Sequence, residues 1–292
     1  MIKTAQQLKA KIRNLSYGDS NRAQVLMRVY MMERFLERVS ISRYGHLFIL
    51  KGGMLVASMV GLGSRSTLDI DATLKGATLE PDVVREMLRE IASIEVGDGV
   101  YFCVLDIARI MDDAEYLGLR VSVEAQLERV KIPLKIDIST GDAITPREIR
   151  YSYELMFEDR AIKLWAYNLE TILAEKLQTV LSRATLNTRM RDFYDMWALL
   201  KLYGNRINGK NLQAAFAATA QTRGDVPNAS AAGRILDEIE FCQAMQGLWS
   251  SYAKKFEYAK GLPWCEVVHS ARALSYAALD SICADADESN KS

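Results

Sequence analysis

From Leu68 to Thr73 apolar and polar side chains alternate, with Leu68, Ile70 and Ala72 on one side and Asp69, Asp71 and Thr73 on the other. That two-residue period is a strand's. It constrains the fold, because two carboxylates side by side on one strand face repel each other and need compensation. The strand must pack one face in a core and hold something cationic near the other. Taken alone, an Asp-x-Asp pair is more often an exposed polar strand face than a site.

The residues upstream change that balance. "HLFIL" predicts a buried strand that ends at Lys51, Gly52 and Gly53, and "MLVASMVG" predicts a short helix behind it. A glycine turn from strand to helix presents backbone N–H groups and a helix N-terminus to an anion. Glycine also lets phosphates approach the backbone closely. Glycines, a helix and then two acids on the next strand form a more specific pattern than any one of them. Paired carboxylates clamp divalent metals, and magnesium favours one or two of them together with phosphates and water. Asp137 has the right facing for a third: in "LKIDIST" the apolar Leu134, Ile136 and Ile138 alternate with Lys135 and Asp137.

Elsewhere the first forty residues predict helices, and "PDVVREMLREIAS" predicts another with Pro81 near its start. "GVYFCVLDIARIM", "LGLRVSVEAQLE" and "KIPLKIDIST" predict strands, the last two a meander. From about residue 168 the pattern is helical. "NLETILAEKLQTVLSRA" opens on Asn168 as an N-cap, and "TRMRDFYDMWALLKLYG" closes at Gly204. The expected organisation is an α/β domain over 1–160, a helical domain over 161–283 and a polar tail over 284–292.

Lys176 falls within the apolar stripe of its helix, between Ile172 and Val180. A lysine there must snorkel to water or meet a negative charge, and a nucleotide phosphate or the aspartate cluster is a candidate. Asp192 and Asp195 neighbour each other at i, i+3 in "RMRDFYD". Arg189 precedes Asp192 by three, so a structural salt bridge explains that segment as well as a site does.

Composition sets outer limits. With 37 basic and 37 acidic residues the chain is not a polyelectrolyte binder as a whole. Cys103, Cys242, Cys265 and Cys283 offer no zinc-type pair, and His46 and His269 are too few for a histidine-based centre. No apolar run approaches a membrane span and the first residues lack a signal-peptide core, so the expectation is a cytoplasmic protein. A polyanionic partner would need a local basic rim, for which Lys51, Arg65, Lys75, Arg183, Arg189 and Arg191 are candidates.

Together, "LKGGMLVASM", "SRSTLDID", "LKIDISTGD", "LETILAEKL" and "RMRDFYD" resemble the AbiEii/AbiGii toxin family. The resemblance implies an α+β fold, a mixed polymerase-β-like nucleotidyltransferase sheet with flanking helices and a helical C-terminal part. It implies a nucleotidyltransferase toxin of a toxin–antitoxin system that carries nucleotides from NTP to an RNA acceptor, as some relatives do to the tRNA 3′ end. Asp69 and Asp71 would bind Mg2+ or Mn2+, with Asp137 as a possible third ligand. Lys176 and Asp192 would be catalytic. Lys51, Gly52, Gly53, Ser66, Arg191 and Asp195 would serve the nucleotide, Asp195 also standing as an alternative to Asp192. An AbiEi-type antitoxin would be encoded nearby. Many nucleotidyltransferases carry Gly-Ser at the phosphate turn; the Gly-Gly here leaves Ser64 or Ser66 to supply a hydroxyl. That departure keeps one rival open, a nucleotide- or partner-binding module without turnover; a further reading, an enzyme that modifies a protein hydroxyl, uses the same site and differs only in acceptor.

Overall fold

A computed structural model describes residues 2–61, 65, 67–111, 117–224 and 228–279. The expected tail at 284–292, and Ser64 and Ser66, lie outside the described residues. The chain divides into two compact units, Met1–Asp142 with Glu148–Tyr167, and Ala143–Arg147 with Asn168–Ser292.

The first unit opens with α1 (Ala5–Ser16), whose cap Thr4 accepts the Gln7 N–H, and α2 (Ser20–Ile41), capped by Asp19. Then follow β1 (Phe48–Lys51), α3 (Gly52–Val60), β2 (Ile70–Leu74), α4 (Pro81–Ala92), β3 (Val100–Met111), β4 (Leu117–Leu127), β5 (Val130–Ser139), β6 (Ile149–Glu154) and β7 (Ala161–Ala166). Among the described residues seven strands form one mixed sheet in the order β3-β4-β5-β2-β1-β7-β6. β5 pairs parallel with β2, and β7 parallel with β1; the other neighbours are antiparallel.

Side-chain alternation fixes the register. Leu50, Ala72, Ile138 and Leu119 stand abreast across β1, β2, β5 and β4, and all are buried. The adjacent row, Lys51, Asp71, Asp137 and Arg120, is charged throughout. A slip of one residue in a strand would turn a charged side chain into the core, so the register is strongly specified. Two strands appear that periodicity does not announce. β7 lies inside the sheet between β1 and β6, yet its six residues are too few for a pattern to stand out. The structure also starts β2 at Ile70, so Leu68 and Asp69 precede the strand, and Leu68 is exposed.

α2 packs against β3, β5, β7 and α4. Its middle is buried on every side, including Glu33, Arg34, Glu37 and Arg38. Buried charges need partners, and Arg34, Glu37 and Arg38 have them. Arg38 forms a two-pronged pair with Asp98 at 2.9 Å on each prong, and Arg34 reaches Glu37 at 2.9 Å and Glu158 at 3.1 Å. Arg160 closes the cluster on Glu37 and Glu158.

The second unit contains α5 (Leu169–Arg183), α6 (Met190–Tyr203), α7 (Gly209–Arg223), α8 (Ala229–Phe241), α9 (Gln243–Lys255) and α10 (Trp264–Leu279). α5, α7 and α8 open on Asn168, Asn208 and Asn228, each side chain accepting an N–H three residues on. α10 touches α5, α6, α7, α8 and α9, burying Val267, Val268, Ala271, Leu274 and Ala278. No described helix is long and apolar enough to cross a membrane.

Glu33 is buried and accepts the Met156 N–H on both oxygens. Burial raises its pKa from 4.5 to about 8, against the pull of that N–H and of Arg34. A raised carboxyl binds its proton more tightly when folded, so its contribution is complete below about pH 4.5 and is lost as pH rises through about 8. Glu33→Gln removes this titration. Urea unfolding from pH 5 to 9 should show the variant gaining on the parent up to about pH 8, by at most about 1.4 kcal/mol per pH unit. Parallel curves for the two proteins would contradict the assignment.

Candidate active site

β1 ends at Lys51, and the chain turns at Gly52, whose φ is +61°. The helix α3 begins at Gly52 itself, two residues ahead of the apolar run. Both glycines are required by close approach. A Cβ on Gly52 would stand 2.1 Å from Asp71 Oδ2, and one on Gly53 would stand 2.6 Å from Thr67 Oγ1 and 2.7 Å from Arg65 Nη1. The Gly53 N–H donates to Asp71 Oδ2 at 3.0 Å, and Arg65 Nη1 donates to the Gly53 carbonyl at 2.8 Å. The turn expected to receive a phosphate therefore holds an anion already, the protein's own Asp71. The hydroxyl of Thr67 lies where a side chain at position 53 would go.

Asp71 stands in register between Lys51 of β1 and Asp137 of β5. Burial of its carboxyl group raises its pKa; the Gly53 N–H and Lys51 oppose that rise, while Asp137 and Asp69 add to it. Asp69 is half-buried just ahead of β2, near enough to act on Asp71. Asp137 gives both oxygens to Arg120, at 2.8 and 2.7 Å. Lys51 Nζ donates to Ser139 Oγ and Asp142 Oδ2, each at 2.7 Å. Burial would raise the Asp142 carboxyl, but Lys51, Ser139 and Thr73 together bring it below the usual carboxylate range.

These donors permit a test of fit for a divalent ion. Among the described residues no three His, Cys, Asp or Glu side chains are arranged to hold a metal by themselves. Asp137 would have to release Arg120 to become a ligand. Asp69 and Asp71 remain, an all-oxygen pair whose negative charge only the Gly53 amide and the Lys51 ammonium partly offset. That matches a hard cation which takes one or two protein carboxylates and completes its shell with phosphates and water.

In the helical unit, Lys176 of α5 is half-buried and meets two acids of α6, Asp192 at 2.6 Å and Asp195 at 2.8 Å. The counter-charge that the apolar stripe demands is thus supplied from the next helix. Asp195 is fully buried and Asp192 half-buried, so of the two only Asp192 presents a surface to a ligand. Asp195 and Arg191 both act on the Tyr252 hydroxyl, which lies 3.0 Å from that of Tyr258. Burial and Tyr258 raise the pKa of Tyr252.

Each unit gathers its own share of the residues singled out in the sequence. Lys51, Gly52, Gly53, Asp69, Asp71 and Asp137 assemble in the first, and Lys176, Asp192, Asp195 and Arg191 in the second. Of the candidate basic rim, Arg65 is buried in the turn and Lys75 pairs with Glu148, whereas Arg189 is exposed. Sequence reasoning missed Asp142, Thr67 and Tyr167, which belong to no periodic pattern. A strand-end Asp three residues after Ser139 was the one local signal for Asp142. Gly52→Ala should lower unfolding stability by roughly 1–3 kcal/mol in urea titrations, because φ is positive and Asp71 fills the space. An unchanged midpoint would mean that the turn is not held as described.

The family described as "Nucleotidyl transferase AbiEii toxin, Type IV TA system" matches residues 34–273. Among solved structures, JHP933 from Helicobacter pylori is similar over 91% of this chain and 97% of its own, with 15% identity and a TM-score of 0.52. A second H. pylori protein, assigned as a nucleotidyltransferase, is similar over 88% of this chain and 96% of its own, with 16% identity and a TM-score of 0.53. At such identities these two speak for the fold alone. No curated protein matches the chain. Since the family match spans both the acid-bearing sheet and the helices of Lys176 and Asp192, the chain belongs to the AbiEii nucleotidyl transferase toxin family of type IV toxin–antitoxin systems.

Proposed function

We propose that this chain transfers a nucleotide from a nucleoside triphosphate to an RNA hydroxyl, the tRNA 3′ end foremost, and thereby halts growth. One observation carries the reading. A half-buried carboxyl, Asp71, is held at a helix N-terminus by the Gly53 N–H, beside two further acids and against Gly52. Like charges so concentrated favour a divalent cation and a polyphosphate over a neutral ligand.

In this reading Asp69 and Asp71 hold Mg2+ or Mn2+, which when bound withdraws charge from the triphosphate and acidifies the acceptor hydroxyl. The acceptor oxygen forms a bond to the α-phosphorus in line with the bond that breaks. Pyrophosphate leaves with that electron pair, and the hydroxyl proton passes to a carboxylate or to solvent. Lys176 offsets phosphate charge, and Asp192 fixes the position of its ammonium. With Asp71 on a cation, the amides of Gly52 and Gly53 would be donors for a phosphate. Lys51, Arg191 and Asp195 are assigned to the nucleotide as supporting charges, and Ser66 as a candidate hydroxyl. Arg183, Arg189 and Lys75 are candidates for the RNA phosphates. The family implies an antitoxin partner, and we assign it to an AbiEi-type protein encoded nearby.

Labelled NTP, total tRNA and magnesium supply the test. The parent should label RNA. Asp69→Ala and Asp71→Ala should lose at least about 10³-fold, and Lys176→Ala about 10²-fold or more, with melting temperatures checked for each. Label on a protein instead of RNA would replace the acceptor and keep the chemistry. Triphosphate binding with no label on any acceptor would favour a binding module and overturn the transferase reading for this chain.

A further inference from the structure

We propose that Asp142 is a positioning residue that anchors the ammonium of Lys51 and so keeps Asp71 available to a divalent cation. The inference rests on the reading of Asp69 and Asp71 as cation ligands, and deepens it.

Lys51 is directly opposite Asp71 in an antiparallel pair. Cβ atoms so placed are about 5 Å apart, well within reach of a lysine stem. Asp71 also lies under the charge of Asp137 and Asp69, which makes its surroundings attractive to an ammonium. An ion pair there would neutralise the carboxylate that the cation needs. The Lys51 ammonium is instead bonded toward the next row of the same face, where Thr73 of β2 and Ser139 of β5 stand abreast.

The anchor is built for that purpose. Asp142 is 6% exposed, and its Oδ2 accepts from Lys51 at 2.7 Å, from Ser139 at 2.6 Å and from Thr73. The Tyr167 hydroxyl lies 2.9 Å from Thr73 Oγ1, and its ring lies 5.7 Å from the ammonium. A carboxylate fixed by two hydroxyls cannot follow the lysine, so the lysine is fixed by the carboxylate.

Neutralising Asp142 should release Lys51 toward Asp71 and set it in competition with the cation. Mn2+ is the probe, and the loss of its free-ion resonance on titration with the full chain, without nucleotide, is the readout. Asp142→Asn should weaken Mn2+ binding about tenfold, a modest fraction of what a close ion pair can contribute. Adding Lys51→Met to Asp142→Asn should restore parental binding, a rescue that simple damage to the fold would not give. Asp69→Ala should abolish binding in every background. If Asp142→Asn proves unfolded, Ser139→Ala, which removes one bond of the anchor, should weaken binding about threefold. Parental Mn2+ affinity in folded Asp142→Asn, or in Ser139→Ala as its substitute, with Asp69→Ala still abolishing binding, would overturn the anchor and leave the cation site standing. Indifference of Mn2+ to Asp69→Ala would overturn the cation site and the anchor with it.

Discussion

Asp71 and Asp137 stand side by side on adjacent parallel strands, and like charges so placed destabilise a sheet. The rest of the first unit is arranged around that repulsion. Arg120 and Lys51 bracket the pair from the strands on either side, so the four-residue row reads plus, minus, minus, plus. Arg120 answers Asp137 by direct contact, and the Gly53 amide answers Asp71. The compensation is uneven. Asp137 has a full guanidinium and Asp71 has one amide and a displaced lysine. The unevenness sets this row apart from a salt-bridged surface.

The same logic runs through α2. Its buried arginines and glutamates are matched across to Asp98, Glu158 and Arg160, and that matching locks the central helix to the sheet at fixed rotation. Breaking one partner of such a cluster leaves a buried charge, which is costlier than losing an apolar contact. A rigid frame of this kind suits a sheet whose other face must hold acids in place against their own repulsion.

Local rules made much of this legible. Asn168 marks its helix start by capping chemistry, and α6 ends just before Gly204 as the sequence puts it, although Gly204 keeps a right-handed φ of −52° and leads into a 3-10 turn. The glycine turn and the acid pair are visible because positive φ and strand alternation leave marks on residue type. The mixed sheet with flanking helices follows from the same patterns and from the five family segments. What escaped was non-local. β7 owes its central place to β1 and β6 rather than to its own six residues. Asp69 lies outside its strand because β2 starts two residues after Leu68, where the alternation begins. Asp142 takes its role from Thr73 and Lys51, far away in the chain, and no spacing could have announced that. Lys176 was identifiable as a charge in an apolar stripe, but only packing names Asp192 and Asp195 as its partners.

The backbone amide at Gly53 is already taken by Asp71. An incoming bare anion must therefore evict a resident carboxylate while pushing against its charge. On the proposed reading, a visitor that arrives with its own positive ion would give the carboxylate a counter-charge and take over the amide it vacates. On that reading, the turn would discriminate between naked and masked phosphates by occupancy alone, before any side chain has inspected a base or a sugar.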